Sequence, residues 1–249
     1  MEEDARTAFW SEARRYIEDL ALFEEAHFIV PQESAESVRS LPQERSASVP
    51  VPVPTSTPSS SVAEPESLEA FRQSICDCTR CGLAATRTQF VFGSGNQNAG
   101  IMFVGEAPGA EEDRSGQPFV GAAGQLLTKI IEAMGLSRES VYICNILKCR
   151  PPNNRDPQPD EIAQCEPYLK RQIELVRPRV LCTLGRFAAQ TLLRSDQSMG
   201  RLREGTHHYE GIPLVATYHP AALLRNPQWK KPTWEDVKKV RRFFDGVEL

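Results

Sequence analysis

From residue 68 onward, short apolar runs alternate with amphipathic stretches. Four runs, at 101–104, 141–147, 180–184 and 214–217, are apolar at nearly every position, the pattern of strands covered on both faces of a sheet. Residues 123–134, 159–175, 187–193 and 233–244 place their apolar side chains at helical spacing. Strand–helix–strand alternation of this kind predicts an α/β fold, a three-layer α/β/α sandwich around a short, mostly parallel central sheet.

The pattern upstream is different. Ala8, Phe9, Ala13, Tyr16, Ile17, Leu20 and Phe23 recur at helical spacing, with Arg14, Arg15, Glu18 and Asp19 between them. This predicts an amphipathic helix over residues 1–28, either docked on its own protein or recruiting a protein partner. Residues 29–66 turn to Ser, Pro, Glu and Val, with Val49-Pro50-Val51-Pro52-Val53-Pro54 at the centre. Such a stretch favours extended structure and builds no core, so it reads as a disordered linker. The folded domain is expected at 67–249.

Charge sharpens the division. Residues 1–66 carry a net −8, and the remainder a net +4, out of −4 overall. A mildly basic body is compatible with a nucleic-acid partner. No apolar run approaches the roughly 20 residues that span a bilayer, and the acidic Met1-Glu2-Glu3-Asp4 lacks the basic-then-apolar order of a signal peptide. A cytoplasmic protein with no membrane association, and a monomer, is the expectation.

The first strand hands over to Gly105-Glu106-Ala107-Pro108-Gly109-Ala110-Glu111-Glu112-Asp113, an acidic turn running on into Gly116-Gln117-Pro118-Phe119-Val120-Gly121. Open α/β sheets bind ligands at the carboxyl ends of their strands, so a site is expected here. It is not a phosphate cradle: no Lys-Ser/Thr follows a glycine loop, and Gly93-Ser94-Gly95-Asn96-Gln97-Asn98 lacks the third glycine of a dinucleotide motif.

Seven cysteines are present, and in a reducing compartment they are not expected as disulfides. Cys78 and Cys81 form a C-x-x-C pair; Cys149 and Cys165 lie far along the chain. Thiolates suit iron–sulfur clusters or zinc. Spacing alone leaves open which, and whether these are simply inert thiols. Cys144 and Cys182 fall within strand candidates, where a buried thiol serves as a small hydrophobe.

Four features then occur in one order: C-x-x-C; Gly105-Glu106-Ala107-Pro108-Gly109 with Glu112-Asp113; Asn145 before Lys148-Cys149-Arg150-Pro151-Pro152; and His219-Pro220-Ala221 after the last strand. Together they resemble the family 4 uracil-DNA glycosylases, the iron–sulfur branch of that superfamily, over about residues 68–244. The resemblance implies a [4Fe–4S] cluster on Cys78, Cys81, Cys149 and Cys165, structural in role. It implies a monofunctional glycosylase acting on uracil-containing DNA, which hydrolyses the N-glycosidic bond of a flipped-out deoxyuridine in base excision repair.

By the same resemblance Phe119 stacks on the base. Asn145 reads O4 and N3–H, since an amide offers both a donor and an acceptor. His219 donates to O2 as negative charge builds. Ala107 stands where family 1 relatives carry a water-orienting Asp, so backbone N–H groups near Glu106 and Ala107 are candidates for holding O2. Glu106 and Glu112 are the candidates for orienting the water. Leu223 is the expected wedge into the vacated stack, with Arg225 on a phosphate or the opposite strand. Phosphate contacts are further expected from Arg150, Lys148 and Arg155.

Two alternatives carry weight against this. A neighbouring branch excises another damaged base or traps the abasic sugar through a His-containing loop after the third motif, and residues 148–154 hold no His. A non-catalytic iron–sulfur DNA-binding module, tied to a replication or repair partner, would release no base.

Overall fold

The computed structural model describes residues 67–246; the expected N-terminal helix and linker lie outside the described residues. Six strands form one sheet in the order β1-β3-β2-β4-β6-β5. They are β1 (Ser94–Gly95), β2 (Ile101–Gly105), β3 (Tyr142–Asn145), β4 (Val180–Leu184), β5 (His207–Tyr209) and β6 (Ile212–Thr217). The pairs β2–β3, β2–β4 and β4–β6 are parallel, and the two short edge strands are antiparallel.

Successive residues of β2 point to opposite faces, and two cores result. Met102 and Val104 pack with Tyr142, Cys144, Leu181 and Leu214 beneath α4 (Pro159–Val176) and α5 (Arg186–Leu193). Ile101 and Phe103 pack with Ile143, Cys182 and Val215 beneath α3 (Ala122–Ala133) and α8 (Lys230–Phe244). This is the three-layer α/β/α sandwich that the doubly buried strands predict. From β2 the chain crosses through α3 to β3 on one side, then returns over β2 through α4 to β4 on the other. A crevice opens beside the point where the winding direction switches, at the carboxyl ends of β2, β3 and β6.

The remaining helices are α1 (Leu68–Ile75), α2 (Ala110–Ser115), α6 (Met199–Glu204) and α7 (Pro220–Arg225). Three local expectations need correction. The stretch read as one long turn contains α2, which Gly116 terminates with a left-handed φ of 71°. The third strand is shorter than 141–147: pairing as a strand ends at Asn145, although the N–H groups of Ile146 and Leu147 still bond to the carbonyls of Gly105 and Glu106. His207–Tyr209, outside the four apolar runs read as strands, forms edge strand β5, because Glu210 (φ 50°) and Gly211 (φ 81°) make a two-residue hairpin turn into β6. No helix of the described residues is long and apolar enough to cross a membrane.

Candidate active site

Gly105 ends β2 directly opposite Asn145 at the end of β3. A Cβ on Gly105 would fall 2.6 Å from Phe119 Cζ and closer still to Asn145 Oδ1. The absent side chain is therefore the room in which the Phe119 ring and the Asn145 amide meet. Phe119 takes a left-handed φ of 52°. Its carbonyl lies against the bare Cα of Gly124, and Arg138 donates to the carbonyl of Pro118 before it. Both contacts hold the ring over the strand ends.

Asn145 is 1% exposed, and its Oδ1 is buried with no hydrogen-bond partner among the described residues. Buried amide oxygens are nearly always satisfied, so an orphan at the wall of a cavity marks where a ligand's donor belongs.

His219 follows β6 and caps α7. Its Nδ1 accepts the N–H of Ala221 at 3.1 Å, which places the ring proton on Nε2. Burial, reinforced by the Arg225 guanidinium and opposed by Glu112, pushes its pKa down to about 4. The ring is a neutral N–H donor at physiological pH, and it faces Phe119 with centroids 5.5 Å apart. The approach to it is braced from behind. Asp236 accepts from Thr217 Oγ1 at 2.8 Å and from Arg203 Nε at 2.6 Å; Arg203 lies over the Tyr218 ring, which stacks on Trp229.

Phe119, Asn145 and His219 line a cavity of about 400 Å³ that also includes Glu106, Ala107, Glu112 and Arg225, a size suited to a small ligand. Burial and the Asp156 carboxylate raise the Glu106 pKa to about 7, with Arg186 opposing. Glu112 is engaged otherwise. Its Oε2 accepts from Gly109 N at 3.1 Å, and its Oε1 from Val120 N at 2.9 Å and Gly121 N at 3.0 Å. It ties the two halves of the loop together. Pro151, Asn154, Arg155 and Asp156 also line the wall; of these, nothing in the sequence beyond a Pro/Asn-rich loop distinguished Asn154 and Asp156.

Two sequence-based expectations do not survive. Leu223 is 1% exposed and packs inward, so it is not a wedge; Leu224, one residue on, is 43% exposed. Lys148 is fully buried, with Nζ bonded to Asn145 O and Gln172 Oε1, and is not a phosphate contact. Arg155 spends both terminal nitrogens on Glu161. Arg150 lies off the cavity, with Nε donating to Asn154 Oδ1 at 2.8 Å.

The four cysteines gather on the α4 side of the sheet. Cys149 and Cys165 belong to that core, and Cys81 packs against it. Arg87 bonds to both Cys78 O and Cys149 Sγ. Each of three sulfurs accepts a hydrogen bond from another part of the chain: Cys78 from Tyr168 at 3.2 Å, Cys149 from Arg87 at 3.4 Å, Cys165 from Lys148 N at 3.3 Å. None of them is joined in a disulfide. Among the described residues no three His, Cys, Asp or Glu side chains converge tightly enough for a single metal ion. A cubane carries its four thiolates at separate corners, and hydrogen bonds to the sulfurs are part of how proteins tune such clusters. Four cysteine sulfurs on one side of the sheet are a donor set that an iron–sulfur cluster or zinc takes.

A parallel α/β sheet with a switch-point pocket built from a stacking ring, a buried amide and a neutral imidazole defines a site for a small planar heterocycle. The family model described as "Uracil DNA glycosylase superfamily" matches residues 92–238. The chain is 47% identical over 183 residues to the type-4 uracil-DNA glycosylase of Archaeoglobus fulgidus, covering 70% of this chain and 92% of that protein. It is 46% identical to the one from Sulfurisphaera tokodaii, covering 71% and 84%, and 42% identical to the one from Thermotoga maritima, covering 72% and 95%. The chain belongs to the uracil-DNA glycosylase superfamily, and within it to the type-4 branch.

Proposed function

We propose that this protein is a monofunctional DNA glycosylase that hydrolyses the N-glycosidic bond of a flipped-out deoxyuridine, giving free uracil and an abasic site. The observation that carries this reading is the orphaned Oδ1 of Asn145, set beside Phe119 in one cavity with His219. Uracil offers a donor at N3 and an acceptor at O4, which an amide's oxygen and nitrogen complement together. Cytosine has no proton at N3 and an amino group at C4, so the orphan oxygen would face the wrong partner.

Breaking the bond leaves negative charge on the uracil carbonyls and an oxocarbenium-like sugar. Phe119 holds the ring by stacking. The Nε2–H of neutral His219 donates to O2 as its charge develops, and donors fixed in advance act most strongly where water is excluded. The backbone at Glu106 and Ala107 lies on the same wall. With Glu112 committed to three backbone N–H groups, Glu106 is the one of the two expected carboxylates left to orient the water that adds to C1′, with Asp156 beside it on the cavity wall. Among the described residues no lysine lines the cavity, which favours hydrolysis without a Schiff base and an uncut strand.

Cys78, Cys81, Cys149 and Cys165 would hold a [4Fe–4S] cluster, whose contribution is to order the loops around it rather than to take part in bond cleavage. Arg225 at the rim suits a phosphate, and Leu224 takes the wedge role expected of Leu223. The relatives' names favour this reading over a non-catalytic module. Asn145→Ala and His219→Ala test it: each should slow single-turnover excision by about 100- to 1,000-fold with the fold intact. A near-normal rate in either removes that residue from the site.

A further inference from the structure

Lys148 lies outside the cavity, yet its side chain is wholly buried, 0% exposed. Among the described residues it has no carboxylate partner. Instead its ammonium donates to the backbone carbonyl of Asn145 at 2.6 Å and to Gln172 Oε1 at 2.5 Å. Burying such a group is costly, and breaking its few contacts more so.

The contacts are themselves fixed. Gln172, on α4 and equally buried, spends its amide nitrogen on Phe92 O at 2.8 Å and Tyr142 OH at 3.2 Å. That sets the direction of its amide and leaves Oε1 to face Lys148. Two turns earlier on the same helix, Cys165 Sγ accepts the backbone N–H of Lys148 at 3.3 Å. Helix α4 thus grips Lys148 at both its backbone and its tip. Lys148 in turn grips the one residue whose side chain carries the orphan oxygen in the pocket.

We propose that Lys148 is a positioning residue for base recognition: by holding the Asn145 carbonyl it fixes the backbone from which the amide is aimed at the uracil edge. This rests on the reading of Asn145 given above. Lys148 touches neither base nor sugar and acts only through Asn145. The chain of contacts from Cys165 to Lys148 to Asn145 also makes the aim of that amide depend on the segment that carries the cysteines.

The test is Lys148→Met in the full-length, cluster-loaded protein, a change that keeps the stem and removes the donor. Four quantities are read: visible absorbance of the cluster, half-saturation by uracil-containing DNA, the single-turnover excision rate, and inhibition by free uracil. Losing a buried charged hydrogen bond predicts a rate about 10- to 100-fold slower. Inhibition by free uracil should weaken several-fold, while absorbance and DNA half-saturation stay near wild type. A merely structural lysine would lower the active fraction and leave the surviving molecules at wild-type rate and wild-type uracil inhibition; that result overturns the proposal, as does no change at all.

Should Lys148→Met not fold, Gln172→Met removes the brace but keeps the lysine. It should give a smaller loss in both rate and uracil inhibition, and unchanged values overturn the proposal. The two readings fail separately. A fully active Asn145→Ala contradicts the role of Asn145 itself, whereas an inactive Asn145→Ala beside a fully active Lys148→Met contradicts only the role of Lys148.

Discussion

Gly105 and Asn145 end neighbouring parallel strands in register, and the side chain missing from the first is the space occupied by the amide of the second. The Phe119 ring closes over the same point, 2.6 Å from where a Cβ on Gly105 would lie. Gly105→Ala should therefore displace two pocket side chains at once. Overpacking of this kind costs about 1–3 kcal/mol, which the domain should survive. Excision should fall by about 100-fold or more, as for loss of a principal transition-state contact. Thermal melting alongside a single-turnover assay separates the two effects.

Glu106 and His219 set the pH dependence. With its pKa raised to about 7 by burial and by Asp156, Glu106 gains its charge only as the pH rises through that value. If its carboxylate orients the water, the excision rate climbs through pH 7 and levels about one pH unit above it. Glu106→Gln should be slow and flat over the same range. His219, held down at about 4, stays neutral from pH 5 to 8 and adds no second inflection there. A rate that falls as the pH rises through 7 would assign Glu106 the opposite, protonated role.

Glu112 serves the loop rather than the water. Its two oxygens accept three backbone N–H groups from Gly109, Val120 and Gly121. In Glu112→Gln the amide nitrogen would face at least one of those donors, and an unsatisfied buried donor costs about 1–3 kcal/mol. The melting temperature should drop with the excision rate, and the pH profile should keep its wild-type shape. A changed profile with unchanged melting would return Glu112 to the chemistry.

Leu223 and Leu224 should separate stability from DNA handling. Leu223→Ala empties a buried site and should cost about 2–5 kcal/mol in stability. Leu224→Ala should leave melting near wild type and slow excision from duplex more than from single-stranded DNA, because only a duplex must be unstacked and held open. Equal losses on both substrates would remove the wedge role.

The sequence made the sheet legible because four strands are buried on both faces and leave unbroken apolar runs. Asn145 and His219 were legible as pocket residues for a related reason: each stands at or just beyond a strand end, where an α/β fold collects its ligands, whereas Phe119, beyond helix α2, was singled out through the family resemblance. What escaped was set by partners the fold supplies. Glu112 reads as a loop carboxylate until three N–H groups converge on it. Lys148 reads as a surface cation beside Arg150, and only α4 shows it sealed behind Asn145. The Leu223–Leu224 exchange is a matter of helix phase, where one residue is a rotation of about 100°. Helix α2 has six residues, too few for a periodic signal. Asp156, which raises the Glu106 pKa, reaches the cavity only through the path of its loop.

The central claim is excision of uracil from DNA by the site that Asn145 defines. A labelled duplex with one uracil, treated with excess protein and then alkali, tests it most directly, with matched thymine and cytosine duplexes and Asn145→Ala alongside. Cleavage at uracil alone, lost in Asn145→Ala, is the result expected. No cleavage by cluster-loaded protein, or equal cleavage at cytosine, would contradict the account.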